Sequence, residues 1–179
     1  NSSESVPPTG VGGGMKLVSA DVPRTAGDPT AIDGVVQAMG GFTDRLWAQV
    51  ATADANLALS PYSIVSALAM TTNGAARGTL RQMQDGLGID DLTTFNGGLN
   101  ALTQAVEGLA GTVKLDDQHT ATIDLAAANQ LFGDAATTWG KDFLDVLARE
   151  YAAGMRTVDF RHAAAAAEAL INQWTSDQT

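Results

Sequence analysis

Cysteine is absent from this chain of 179 residues. Disulfides, thiolate nucleophiles and zinc–thiolate sites are therefore excluded, and the redox compartment stays open. No apolar run approaches the ~18–20 residues that span a bilayer. Basic side chains are scarce: 10 Lys and Arg stand against 20 Asp and Glu, a formal charge of -10. A nucleic-acid surface needs the opposite balance. The catalytic motifs are missing too. Three positions before Lys16, Lys114 and Lys141 stand Gly13, Gly111 and Thr138, so no Ser-x-x-Lys exists. There is no Gly-x-Ser-x-Gly elbow, no Gly-x-x-x-x-Gly-Lys loop and no His-Glu-x-x-His. His119 and His162 read as exposed spectators, because no serine-centred triad pattern surrounds either. Asp116-Asp117 reads as a solvated turn, since a calcium site needs more oxygen ligands at fixed spacing. Gly97-Gly98 lacks the strand-before, helix-after setting of a dinucleotide loop.

What is present is a globular composition, 45% hydrophobic and 17% charged. Asn1 to Pro29 is rich in Ser, Pro, Gly and Thr and reads as a flexible leader before a domain over 30–179. A start at Asn rather than Met reads as a processing boundary. Two origins stay open, a tether left after export and a cloning remnant. Asn1-Ser2-Ser3 matches a glycosylation acceptor, with chance as the default reading.

The organising stretch is Asn56 to Met70, read as a strand over Leu57–Ser60 passing into a buried helix. Ser60 fits an N-cap and Pro61 the first helical position. From Ile64 to Met70 only Ser66 is polar, which places that helix inside a domain. Asn73-Gly74 predict a left-handed stop. Before it, Ile32 to Ala53 has helical spacing that Gly40-Gly41 interrupts, which predicts a kink or a late start. After it, Thr79-x-x-Gln82 predicts a capping box for a helix ending at Gly86-Leu87-Gly88. Asp91 predicts the cap of a helix carrying Phe95, Leu99 and Leu102, followed by a loop over Thr112–Asp117. Thr122 to Phe132 alternates and predicts one strand, with Asn129 facing inward and hydrogen-bonded. Thr137/Thr138 predict the cap of a helix with Trp139, Phe143 and Tyr151 on one stripe. Met155–Phe160 predicts a short strand, and Ala163 onward a last helix.

These elements resemble a known family. Asn56-x-x-x-Ser60-Pro61-x-Ser63-Ile64-x-x-Ala67-Leu68-Ala69-Met70, with Gly74 to Thr79 behind it, is similar to the opening of the serpins. Asn129-Gln130-Leu131-Phe132 resembles serpin strand 2 of sheet A. Phe143 to Tyr151 resembles helix E, and Thr157-Val158-Asp159-Phe160 strand 1 of sheet A. Asn172-Gln173-Trp174 resembles helix F. They occur in family order from Ile32 to Thr179. The resemblance implies an incomplete α+β serpin-like fold: helices A–F packed on part of sheet A, with one strand of sheet B.

It also implies an inhibitor rather than an enzyme, one that traps a serine or cysteine protease by inserting a cleaved bait loop into sheet A. Ser60 and Ser63 would belong to the gate beneath that sheet, with Asn129 nearby. Asn56, Pro61, Gly74, Thr79, Phe132, Phe143, Phe160, Asn172 and Trp174 would be family core positions. No cofactor or metal is implied. The reactive loop and the C-terminal half would lie beyond Thr179, so these residues alone would expose a broken sheet edge and aggregate. The stretch matching heparin-binding helix D, Asp91 to Gly111, contains no Lys or Arg, so no heparin binding is expected. A secreted or cell-envelope location is expected. A non-inhibitory serpin-fold chaperone or binding module is the alternative, and a helical serine hydrolase the remote one.

Overall fold

The computed structural model describes residues 5–6, 14–52, 56–114, 116, 119–123, 125 and 127–178. In chain order the elements are β1 (Ser5–Val6), β2 (Lys16–Val18), α1 (Ile32–Val50), α2 (Pro61–Thr72), α3 (Arg77–Leu87) and α4 (Leu92–Glu107). There follow β3 (Gly111–Lys114), β4 (Thr120–Ile123), β5 (Leu131–Asp134), β6 (Trp139–Gly140), α5 (Lys141–Tyr151), β7 (Met155–Val158) and α6 (Ala164–Gln178). The principal sheet has the order β2-β7-β5. β5 runs parallel to β7 and β2 antiparallel to it. The architecture is α+β.

The core forms where the first four helices meet. Val35, Val65, Ala69, Leu87, Ile89, Phe95 and Leu99 are buried together, with Ala38, Met39 and Phe42 packed against them. That packing carries α1 from Ile32 through Gly40-Gly41 to Val50, so the helix does not start late. Two interior glycines cost about 1 kcal/mol each in propensity, which is less than the burial the helix gains. The α2 start is as the sequence predicts: the Ser60 hydroxyl accepts from the Ser63 N–H and Pro61 is the first helical residue.

Other expectations change. Lys16–Val18 is a strand, and Thr25, Arg24 and Asp28 dock on α4 and α5, so the described part of the leader is packed. The Thr, Ser and Gly composition around it hid this three-residue strand. No strand covers Leu57–Ser60, because no ladder partner lies beside it among the described residues. α2 ends without a left-handed residue. The Asn73 amide donates to the Ala69 carbonyl and tight backbone turns close the end. α3 begins at Arg77 rather than at a Thr79 cap, and its stop is the left-handed Gly88. Thr112–Lys114, expected in a loop, instead belong to β3, which pairs with β4 as a hairpin; Leu115 and Asp117 lie outside the described residues. The single strand over Thr122–Phe132 is split into β4 and β5. The sequence alternates, yet residues 125 and 127–130 find no ladder among the described residues. α5 starts at Lys141 on Gly140, later than the Thr137/Thr138 cap, because Trp139 pairs with Val6.

Candidate functional site

The head of α2 carries three serines on successive turns. Ser60 and Ser63 sit at the mouth of the helix with their hydroxyls 3.1 Å apart. Ser66, one turn deeper, is buried, and its hydroxyl has no hydrogen-bond partner among the described residues. It lines a cavity of about 300 Å³ with Tyr62, Asn129, Gln130, Arg156 and Trp174. The Tyr62 hydroxyl is held 2.7 Å from the Thr103 hydroxyl, tying α2 to α4 on that wall.

Asn129 therefore lines the same cavity as Ser66, while Ser60 and Ser63, the serines expected beside it, are not among the lining residues. Its side chain is half-buried and makes no hydrogen bond among the described residues. The polar bonds expected of it are made by its neighbour. The Gln130 amide donates to the Gly154 carbonyl at 2.7 Å and to the Leu131 carbonyl at 3.0 Å. Arg156 Nε donates in turn to Gln130 Oε1 at 3.3 Å. The reason is the missing ladder over 127–130. Without it nothing fixes which residue faces inward.

The roof of the cavity is α6. Trp174 meets Phe132 of β5 edge-on, with centroids 5.5 Å apart at 75°. The Arg156 guanidinium of β7 lies 5.8 Å from the centroid of the same ring. One indole thus fastens the last helix to two adjacent strands, an arrangement worth about 1 kcal/mol from each contact beyond burial. Among the remaining family positions, Gly74 lies against Phe143: a Cβ there would stand 3.2 Å from the phenyl edge, so the ring would have to give by a few tenths of an ångström. Asn56, Thr79 and Asn172 are exposed, as is Phe160 at 41%.

Sequence reasoning missed a buried polar network behind this site. The Asn73 and Asn96 amides bond to each other, Asn96 Nδ2 donating at 2.8 Å and Asn73 Nδ2 at 3.2 Å. The Tyr151 hydroxyl donates to Asn96 Oδ1 at 2.5 Å. Three helices are pinned by one cluster. Burial pushes the Tyr151 phenol well above the ordinary tyrosine range, against the partly opposing hydrogen bond from Asn73. Asn96 and Asn100, four apart on an otherwise apolar stripe, were the available signal. His119 and His162 are exposed and face Asp116 and Asp159 respectively. Among the described residues no group of three or more acidic, His or Cys side chains could hold a metal ion. No helix among them is long and apolar enough to cross a membrane.

Residues 37–179 match the family profile described as Serpin (serine protease inhibitor). The chain belongs to the serpin family. It is 32% identical over 127 residues to the leukocyte elastase inhibitor of Xenopus tropicalis, covering 71% of this chain and 31% of that protein. It is 30% identical over 132 residues to antithrombin-III of Homo sapiens, covering 69% of this chain and 26% of that protein. The chain thus spans less than a third of these serpins' length. The thermophilic serpin tengpin in its native state shares the fold with a TM-score of 0.62 at 22% identity, over 93% of this chain and 40% of tengpin. An Arabidopsis serpin in its native stressed conformation gives 0.62 at 20%, over 84% of this chain and 36% of that one. The incomplete serpin fold accounts for the short sheet: β5 ends it with an edge that has no partner among the described residues.

Proposed function

We propose that this chain is the N-terminal part of a serpin-type protease inhibitor, acting on a serine or cysteine protease through cleavage of a bait loop and its insertion into the sheet. The observation that carries the reading is α6 laid over β5 and β7 by Trp174, with Tyr62 and Ser66 of α2 lining the same cavity. A sheet that admits another strand needs a roof that yields and a floor that guides it. Trp174 is the roof contact. Ser60 and Ser63 order the α2 head, while Ser66 and Asn129 face the space between. These residues shape a conformational gate and perform no covalent step, so the protein is an inhibitor and not an enzyme.

The bait loop belongs to the part of the family fold outside the matched region, so residues 1–179 alone leave protease activity unchanged. The fuller inhibitor, incubated with trypsin-like or elastase-like proteases, forms a complex that survives SDS. Rapid cleavage with no such complex would sink the inhibitory reading and favour the non-inhibitory binding protein. A secreted or cell-envelope location goes with this role. Fractionation of the producing cells checks it, and wholly cytoplasmic recovery would refute it.

A further inference from the structure

The leader segment that composition reads as loose is bound at four places. β2 pairs with β7 in the register Lys16↔Thr157, Leu17↔Arg156 and Val18↔Met155. Arg156 Nη1 donates to Met15 Sδ at 3.6 Å. Further on, Arg24 Nε donates to Asn100 Oδ1 at 2.7 Å, and its Nη1 pairs with Glu107 at 2.8 Å. The Thr25 N–H donates to the Arg149 carbonyl at 2.8 Å, and the Thr25 hydroxyl reaches Glu150. Asn100 is 1% exposed, and its amide donates to the Thr25 hydroxyl and carbonyl. The same amide also reaches the Arg149 carbonyl at 3.3 Å and Glu150 Oε2 at 3.2 Å, so it is shared between the arm and α5 and keeps partners when the arm leaves.

Arm and body are shaped to fit each other. Gly27 has φ +74°, and a Cβ on it would stand 2.5 Å from the Ala101 backbone nitrogen. Gly154, just before β7, is more telling. A Cβ there would meet the Val18 carbonyl oxygen at 2.7 Å, Ser19 Cβ at 2.8 Å and Leu17 Cδ1 at 3.0 Å. All three are arm atoms. Its backbone is outside the left-handed region, so glycine is required there by the arm and not by the local turn.

We propose that residues 15–28 are a releasable guard, whose strand fills the outer edge of β7 and keeps a second copy of this chain from adding a strand there. An open strand edge is a template for intermolecular pairing. β2 is only three residues long and Leu17 is 54% exposed, so little burial holds the strand itself. The fastening comes from the Arg24–Thr25 knot, which is polar and in part exposed to solvent. Such a cover can detach without opening the helical core. The proposal stands whether or not the protein inhibits a protease.

The test is hydrogen exchange and light scattering on the full chain carrying Gly154→Ala, with Arg24→Ala as the second variant loosening the other end. The expected result is exchange about tenfold faster at 155–158, unchanged protection in α2 and α4, and greater association than the unsubstituted chain. Unchanged exchange at 155–158 in both variants would overturn the proposal. So would an equal loss of protection throughout the core, or faster edge exchange without added association. If Gly154→Ala does not fold, Arg24→Ala decides by the same readings.

Discussion

Trp174 stands edge-on to Phe132, joining the last helix to the strand that borders the sheet. It is the single aromatic link between those two elements and also carries the Arg156 guanidinium. Trp174→Ala removes both contacts from a half-buried site, with an expected loss of about 2 kcal/mol. A denaturant titration followed by near-UV dichroism reads this; a midpoint within error of the parent would refute the latch.

The Asn73–Asn96–Tyr151 cluster makes a second prediction. Tyr151→Phe removes one donor and leaves Asn96 Oδ1 its bond from Asn73, for a cost of about 1 kcal/mol. Asn73→Ala strands the Asn96 amide in the interior and costs about 2–3 kcal/mol. The same phenol fixes an alkaline limit. Its folded pKa is raised, so its contribution is intact below the ordinary value near 10 and is lost as pH climbs above it. Ultraviolet titration is expected to show one tyrosine ionising only as the chain unfolds.

Three helix and turn caps predict the acid limit. Asp91 is held below the usual carboxylate range by the Thr94 N–H, Asp28 by the Thr30 hydroxyl and Asp159 by the His162 N–H. A lowered folded pKa means the unfolded chain binds protons first. Stability is therefore present above about pH 4 and falls as pH drops through and below it. Melting temperatures measured from pH 6 to pH 2 check the direction, and flat behaviour across that span would contradict the caps.

Ser66→Ala is expected to be neutral or stabilising by about 1 kcal/mol, because the buried hydroxyl loses hydration and gains no partner here. Marked destabilisation would mean that the hydroxyl has a partner in solution.

Helix α4 contains no Lys or Arg, and the nearby Arg24 is already paired with Glu107. Retention on immobilised heparin is expected to be absent at low salt. Salt-sensitive binding would refute that expectation.

Elements whose cause is local were readable from the sequence. Ser60-Pro61 begins α2, Asp91 caps α4 and Gly88 closes α3, each by chemistry within one turn. Elements whose cause is distant were not. β2 exists because β7 lies beside it 137 or more positions later, as the Val18↔Met155 pairing shows. The Thr122–Phe132 alternation is compatible with one strand or two, and only the available partners choose. At the site, the pattern pointed to Asn129, yet the polar bonds fall to Gln130, since facing depends on a ladder that is absent over 127–130. Arg156 carried no local signal at all; its role arises where Met15, Gln130 and Trp174 converge.

The Thr25 knot also sets an order of events in biosynthesis. Thr25 docks on Arg149 and Glu150, which follow it by 124 and 125 residues. At about 5–20 residues per second, a ribosome exposes the first partner roughly 6–25 s before it delivers the second. The segment around Thr25 must wait unattached for that interval, which leaves it open to a nascent-chain chaperone until α5 emerges.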